Sequence, residues 1–288
     1  MKKDKMIPRR RALLQISACL GAAATARVLL TGEAPAPGPT KAAPPPAAGP
    51  GAARHPAAVP RAGAPLHTSA YRLQPMTADA PNGYRRPAPP VRQKPFMELP
   101  GLGHAMVLTF DDGPDPRYTR QILRVLREHD VRAMFFVCGE MVSYYGDMLR
   151  ETADDGHVVG NHTWTHPELP KLSRARIREE MERTSEQIEK TIGTAPLWFR
   201  APYGSWNQDA FELGSELGME PLAWTIDTED WMVPGVGKIV GAVQDGAEPG
   251  AVVLQHDAGG IRTQSVAALR RYLPELIDDG YRIAVPHR

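Results

Sequence analysis

The fold of this chain is set by ten residues, Ala105-Met106-Val107-Leu108-Thr109-Phe110-Asp111-Asp112-Gly113-Pro114. An apolar run that stops at a Gly-Pro turn signal predicts a buried strand, so both carboxylates lie at its C-terminal end. Two like charges this close are costly to ionise together, and a bound cation would remove that cost. Taken alone, the pair has a second interpretation, in which Asp112 caps the turn and Asp111 is solvated.

Strands and helical patterns alternate from this point to the end of the chain. Strands are predicted at residues 105–110, 133–137, 157–160, 197–199, 221–226, 251–255 and 281–285. Helices are predicted at residues 115–128, 147–154, 173–192, 207–218, 236–243 and 263–279. The first helix would take Asp115 as its cap and Pro116 in its first turn. This alternation predicts a parallel sheet covered by helices, which either stays open or closes into a barrel.

Polar residues recur directly after five of the predicted strands. They are Asp111 and Asp112, His162 and His166, Arg200, Asp227 and Asp230, and His256 and Asp257. In a barrel the C-terminal strand ends share one face, where active sites are built. Five separate segments are therefore expected to converge on one site.

The pair His162 and His166 indicates a metal. On a helical turn, residues four apart share a face, and two imidazoles with Asp112 leave room for water and substrate on a cation. Zinc suits these ligands, and cobalt, nickel and iron remain open. A lone His-x3-His pair is often incidental, so the argument depends on its meeting the aspartates on the same strand-end face.

The remaining residues can carry out hydrolysis of an acyl group. A bound dication lowers the pKa of its water to about 7, and Asp111 can accept the proton of that water. His256 can protonate the leaving group, and Arg200 can keep Asp111 ionised. Asp230 or Asp227 can orient His256. Arg200 and His256 each have an ordinary alternative role. Arg200 could form a structural ion pair, and His256-Asp257 could cap a helix.

Five motifs in order together resemble one family. They are Thr109–Pro114, His162–His166, Arg200-Ala201-Pro202-Tyr203, Asp227-Thr228-Glu229-Asp230-Trp231 and Leu254-Gln255-His256-Asp257. Residues 103–286 thereby resemble the polysaccharide deacetylases with a NodB homology domain, carbohydrate esterase family 4. The resemblance implies a distorted (β/α) barrel of about seven strands and metal-dependent removal of acetyl groups from carbohydrate.

The resemblance also implies a role for each motif residue. Asp111 would be the base, His256 the acid, Arg200 the support of the base and Asp230 the partner of the acid. Asp112, His162 and His166 would bind the metal, most simply Zn²⁺, with Co²⁺ as an alternative. Tyr203 would lend its backbone N–H to the oxyanion, and Trp231 and Leu254 would line the acetyl-methyl pocket. Ala201 stands where the family often has a second proline.

Substrate and activity leave alternatives open. The expected substrate is peptidoglycan, then chitin oligosaccharides, with O-acetylated xylan as an esterase alternative. Trp164 and Trp206 can stack on sugars, although such residues more often serve packing. A carbohydrate-binding pseudoenzyme would keep the fold without turnover. A metallopeptidase is disfavoured because the sequence lacks His-Glu-x-x-His.

Composition divides the chain near residue 100. Residues 1–100 hold 18 of the 29 prolines and carry a net charge of +11, whereas residues 101–288 carry −10, so the overall +1 describes neither part. Residues 1–30 resemble a twin-arginine export signal, with Ala24-Thr25-Ala26 as a cleavage site and Cys19 as an alternative lipidation site. Arg27 interrupts the apolar stretch, so no stable membrane span is expected after processing.

Residues 31–100 are predicted to form a disordered basic linker rich in Pro and Ala. It is expected to be a solvated spacer, and its net charge of +5 would also allow contact with an anionic cell wall. The export signal argues against a nucleic-acid partner and favours a secreted or wall-associated protein. Residues 101–288 then form the enzyme domain. Cys138, the one cysteine in that domain, is predicted to be a buried apolar residue.

Overall fold

The computed structural model describes residues 87–286. The predicted export signal, with Cys19, and the linker up to residue 86 lie outside the described residues. In the part that is described, no helix combines the length and the apolar character needed to cross a membrane.

Within residues 87–286, eight short strands form one sheet in which every strand pairing is parallel. The strands are β1 (Ala105–Asp111), β2 (Met134–Val137), β3 (Val158–Asn161), β4 (Trp198–Phe199), β5 (Glu220–Pro221), β6 (Ile226–Asp227), β7 (Val252–His256) and β8 (Arg282–Ile283). The order across the sheet is β5-β4-β3-β2-β1-β7-β6, and β8 pairs with the start of β1. The first strand is therefore central, as a buried apolar run predicts.

Seven α-helices accompany the strands in the described part of the chain. They are α1 (Thr119–Glu128), α2 (Gly139–Tyr144), α3 (Gly146–Asp154), α4 (Arg174–Ile192), α5 (Gln208–Glu216), α6 (Val236–Asp245) and α7 (Thr263–Asp278). Ser173 caps α4 by accepting a hydrogen bond from Arg176 N, and Gly193 ends it in the left-handed conformation. Asn207 caps α5 in the same way, so both sequence predictions of these helix starts are confirmed.

Alternation along the strands separates two layers of core. Met106, Leu108 and Phe110 of β1 belong to the outer layer, which packs against the helices. Val107 belongs instead to an inner layer with residues of β2, β4 and β7. Since successive strand side chains point to opposite faces, Asp111 lies on the inner face with Val107.

The curled sheet is closed by the segment that contains β5 and β6. Leu222 N donates to Phe199 O beside β4, and Thr225 N donates to Val252 O of β7. One continuous segment thus changes its pairing partner from one sheet edge to the other. The sequence predicted a single strand at residues 221–226, and the structure corrects this to two because the segment crosses between two edges. The expected distorted (β/α) barrel is confirmed.

Residues 89–99, here called the N-terminal strap, also join the barrel. Phe96 pairs with Leu222, and Glu98 pairs with Ala251. Leu99 is buried, and both Phe96 and Leu99 pack into the inner core layer. The sequence assigned these residues to the disordered linker, because Pro-rich flanks hide a short run of apolar residues whose partners lie far away in the chain.

Two helix predictions also need correction. The first helix begins at Thr119, not at Asp115, because the Asp115 carboxylate accepts from Arg117 N and holds a turn there (2.7 Å). The sequence missed α2, a short helix that starts directly after Cys138. That cysteine is buried as predicted, and burial raises the pKa of its thiol.

Candidate active site

A cavity of about 610 Å³ opens at the C-terminal ends of the strands. Residues from every predicted motif line it, namely Asp111, Asp112, His162, His166, Tyr203, Asp227, Trp231, Leu254 and His256. Arg200 and Asp230 are buried and contact the lining residues from behind. The structure thus brings together the residues that the sequence placed after separate strands.

Asp111 is held by a buried guanidinium. Nη1 of Arg200 donates to Asp111 Oδ1 at 2.7 Å and to Thr109 Oγ1 at 2.8 Å. Its Nε and Nη2 donate to the carbonyl oxygens of Leu222 (3.0 Å) and Ala223 (2.8 Å). Burial raises the pKa of Asp111, against the opposing charge of Arg200. A carboxylate with a raised pKa that remains paired with a cation is suited to accept a proton near neutral pH.

Asp112, His162 and His166 form the candidate metal site. Asp112 Oδ1 lies 3.5 Å from His162 Nε2 and 3.4 Å from His166 Nε2. One ligand atom from each residue can be chosen so that all three lie within 4.8 Å of one another. Oδ1 of Asp112 is buried and has no hydrogen-bond partner among the described residues. A buried oxygen without a partner, aimed at two imidazoles, fits a divalent ion.

His162 is prepared for this role by its other ring nitrogen. Nδ1 of His162 lies 2.8 Å from Arg200 O, which fixes the proton on Nδ1 and leaves Nε2 as a free ligand atom. Burial, with the neighbouring His166, lowers the pKa of His162 to about 3, so the ring is neutral. A neutral imidazole is the form that binds metal.

The loop between the two histidines is irregular, which corrects the predicted helical turn. Thr163 and His166 both have positive φ angles, of 67° and 59°. Glu180 of α4 holds the loop, because its Oε2 accepts from the backbone N–H groups of Trp164 and Thr165, each at 2.8 Å. Asn161 Oδ1 accepts from Thr163 N at 2.8 Å. Side chains, not helical hydrogen bonds, therefore bring the imidazoles together.

His256 is paired with Asp230, which settles the choice between Asp230 and Asp227. Nδ1 of His256 lies 2.7 Å from Asp230 Oδ1, and Ser265 Oγ donates to Asp230 Oδ2 at 2.5 Å. Burial lowers the pKa of His256, but Asp230, with the nearby Asp112 and Asp111, outweighs it and raises the pKa to about 9. The imidazolium can thus act as an acid. Asp227 instead accepts from Glu229 N.

The two polar residues of the fifth motif lie in different surroundings, since His256 lines the cavity and Asp257 does not. Asp257 turns away from the cavity and is buried, with Thr119 Oγ1 donating to its Oδ2 at 2.5 Å. A Cβ on Gly113 would come within 2.2 Å of that carboxylate, so the turn after β1 requires glycine there. Burial raises the pKa of Asp257 to about 7.

The cavity wall carries the predicted aromatic residues unevenly. Tyr203 and Trp231 stand at the mouth, with 67% and 54% of their surface exposed. Trp164 also lines the cavity but is buried, with the guanidinium carbon of Arg183 3.6 Å from its ring centroid. Trp206 stacks on Phe211 and does not line the cavity, so the structure assigns it to packing.

Sequence reasoning missed several supporting residues. Thr109 is two residues before Asp111, so strand alternation alone would have placed both on one face. Glu180 is an acid within the buried stripe of α4, which is itself a signal. Ser265 and Trp224 carry no such signal, because each meets the site only through the fold.

The chain is similar in sequence and in fold to known proteins. A family model described as polysaccharide deacetylase matches residues 100–222, and Asp230 and His256 follow that match. A chitooligosaccharide deacetylase of Rhizobium leguminosarum bv. trifolii is 39% identical over 204 residues, which cover 67% of this chain and 95% of that protein.

Two solved structures are also similar. The crystal structure of the Bc1960 peptidoglycan N-acetylglucosamine deacetylase is 35% identical, with a TM-score of 0.63 over 65% of this chain and 88% of that chain. BA3943, a CE4 family pseudoenzyme from Bacillus anthracis, is 29% identical, with a TM-score of 0.62 over 67% of each chain.

Proposed function

Because the chain belongs to the polysaccharide deacetylase family, we propose that it removes N-acetyl groups from a polysaccharide of the N-acetylglucosamine type. Peptidoglycan is the first candidate substrate and chitin oligosaccharides are the second. One observation carries the proposal: Asp111 and His256 are register partners on adjacent strands β1 and β7. A base and an acid are thereby placed side by side, next to the candidate metal site.

The residues divide the reaction between them. Asp111, oriented by Arg200, takes a proton from the water whose oxygen forms the new bond to the acetyl carbonyl carbon. His256, held as imidazolium by Asp230, gives a proton to the sugar nitrogen as the C–N bond breaks. The products are acetate and a free amine on the sugar. Tyr203 lines the cavity, and its backbone N–H would support the developing oxyanion.

Asp112, His162 and His166 would hold the metal. A divalent ion there supplies Lewis acidity for the carbonyl and lowers the pKa of water, and two imidazoles with a carboxylate favour Zn²⁺, then Co²⁺. Trp231 and Leu254 contribute apolar wall next to His256, which suits the acetyl methyl group.

Export is part of the proposal. The basic residues before Ala12 and the weakly apolar stretch after them support a twin-arginine route to the cell wall. Such a location would bring the enzyme to peptidoglycan. Fractionation of producing cells, with and without substitution of Arg10 and Arg11, tests this part separately.

The central experiment is acetate release from peptidoglycan, chitin oligosaccharides and acetylated xylan. We expect release from the first two, loss of release with a chelator, and recovery with zinc or cobalt. Release only from xylan would establish the O-acetyl esterase alternative. Metal-independent sugar binding without any acetate would establish the pseudoenzyme alternative, a class to which one similar structure belongs.

Two substitutions separate the roles of the site residues. Asp111→Asn should retain metal and lose turnover, because the amide cannot accept the proton. His166→Ala should lose metal affinity. Full turnover in the first variant, or unchanged metal content in the second, would remove the assigned role.

A further inference from the structure

We propose that the N-terminal strap is a positioning element for catalysis, because Phe96 fixes the backbone whose carbonyl groups hold Arg200 against Asp111. The inference rests on the proposed function for its kinetic consequence only. Phe96 is the positioning residue, and it acts through Arg200 without touching substrate.

The strap is anchored on both sides of Phe96. Arg92 Nε and Nη2 each donate to one carboxylate oxygen of Glu220, both at 2.9 Å. Leu99 N donates to Gly250 O at 2.9 Å, just before β7. The strap is thus fixed to the barrel at two points. One is the bidentate ion pair of Arg92 with the mostly buried Glu220, and the other is the backbone hydrogen bond of Leu99.

The backbone of Phe96 forms hydrogen bonds on both sides of Leu222, at the end of β5. Its N–H donates to Pro221 O at 2.9 Å, and its carbonyl accepts from Ala223 N at 2.7 Å. Its ring packs edge-on to Trp198, with a centroid distance of 6.2 Å. The opposite side of the segment is held by Leu222 N donating to Phe199 O. Phe96 thus supplies, through its backbone, the second edge of this short segment, and the contact of its ring with Trp198 holds that edge in place.

The same segment holds Arg200. The carbonyl oxygens of Leu222 and Ala223 accept from Nε and Nη2, which leaves Nη1 for Thr109 and Asp111. The guanidinium is planar and rigid, and it is fully buried. A shift of the two carbonyls is therefore passed to Nη1 and to the carboxylate of Asp111. Errors of about 1 Å in catalytic geometry can lower a rate by about a hundredfold.

The strap lies outside the residues that the family model matches, which begin at residue 100. The alternative is that it adds stability alone, through Phe96 and Leu99 in the inner core. The two alternatives differ in kcat. A purely stabilising strap leaves the turnover of the folded fraction unchanged, whereas a positioning strap changes it at temperatures where the protein is fully folded.

The test compares full-length Phe96→Ala with Val243→Ala. Val243 is buried in the outer core layer on α6, so its truncation costs stability without contact with Arg200. With metal loaded and protein folded, we expect Phe96→Ala to lower kcat about tenfold at unchanged KM and metal affinity. Val243→Ala should keep the parental kcat. Phe96→Tyr should keep it as well, because that variant retains the aromatic ring.

A double-mutant cycle identifies the route. Arg200→Lys keeps a cation but cannot make the forked contacts, so Phe96→Ala should cause no further loss of kcat in that background. Additive losses, or an unchanged kcat in Phe96→Ala with a lower Tm, would overturn the proposal.

A readout independent of turnover separates this proposal from the proposed function. Nε–H of Arg200 is buried and bonded to Leu222 O, so its NMR signal should exchange slowly with solvent. We expect Phe96→Ala, and not Val243→Ala, to accelerate that exchange. If the parent protein releases no acetate, the proposed function fails, and this exchange measurement alone decides the role of the strap. Equal exchange in both variants would overturn it.

Discussion

The imidazole of His256 is subject to two opposing influences, burial and the carboxylate of Asp230. Burial disfavours its charge, and the hydrogen bond at 2.7 Å to Asp230 more than compensates, giving a pKa of about 9. The protonation of His256 is thus set mainly by Asp230, a buried residue that does not line the cavity.

Replacing Asp230 with Asn should move the alkaline limb of the kcat/KM profile to lower pH by about two units, since burial is then opposed only by the smaller effects of Asp112 and Asp111 on the pKa of His256. The measurement is a pH profile of acetate release by parent and variant at equal metal loading. An unmoved limb with reduced kcat would assign that limb to another group.

His157 provides a pH effect on stability away from the cavity. Ala133 N donates to its Nδ1 at 3.1 Å, and its Nε2 has no hydrogen-bond partner among the described residues and lies 4.0 Å from Asp155 Oδ2. Burial lowers the pKa of His157 to about 4. Between pH 6.5 and 4 the unfolded chain therefore binds a proton that the folded protein excludes, and stability decreases as pH falls.

His157→Asn should make the free energy of unfolding less dependent on pH, because Asn Oδ1 can accept from Ala133 N without titrating. The parent should lose about 3 kcal/mol of unfolding free energy more than the variant between pH 7 and pH 4. Denaturant unfolding at several pH values measures it. Parallel curves for the two proteins would show that His157 does not contribute to the acid sensitivity.

Single residues were the easiest part of the site to predict. Asp111, the two histidines and Arg200 each follow an apolar run, so the strand pattern alone assigns them to one face. What could not be predicted was the partner of His256, because Asp227 and Asp230 are three residues apart and only the turn between them decides which one points inward. Glu229 and Val233 both adopt the left-handed conformation there.

The loop that carries the histidines depends on α4. Glu180 accepts from two backbone N–H groups and from Thr165 Oγ1 at 2.9 Å, and this replaces the hydrogen bonds that a helical turn would have provided. The spacing of the histidines indicated a helix because it cannot distinguish a helical turn from a loop of the same reach. The prediction that the two histidines lie close together was right, but the predicted helical turn was wrong.

Glu180→Ala should weaken metal binding about tenfold or more, because the loop loses its side-chain support while the ligands stay intact. Glu189→Ala on the exposed side of the same helix is the matched control and should bind metal as the parent does. Isothermal titration with zinc measures both. Equal affinities would show that the loop keeps its form without Glu180.

The closure of the barrel and the start of the folded domain depend on contacts across the whole molecule. Strand and helix order was predictable from periodicity, and so was a parallel sheet. The closure of the barrel was not, because it depends on one segment that pairs with β4 and then with β7, and on a strap that precedes the first strand. The strap contacts join residues more than a hundred positions apart, and such contacts leave no local pattern.

A chain that starts at residue 101, the boundary drawn from composition, should be less stable than one that starts at residue 87. It loses the buried surface of Phe96 and Leu99 and the pair of Arg92 with Glu220. We expect its Tm to be lower by about 10 °C. Thermal unfolding of the two shortened chains measures this, and equal Tm values would show that the strap adds no stability.

The exposure of Trp231 also makes the protein its own optical probe. The chain has five tryptophans, and Trp231 is the one that lies largely in solvent. Its emission is the reddest component of the intrinsic fluorescence, and acrylamide will quench it before the others. A saccharide that enters the cavity covers this indole, so the emission shifts to shorter wavelength and quenching decreases. Substrate affinity is then measurable by unlabelled titration, also with the Asp111→Asn variant, which is expected to lack turnover.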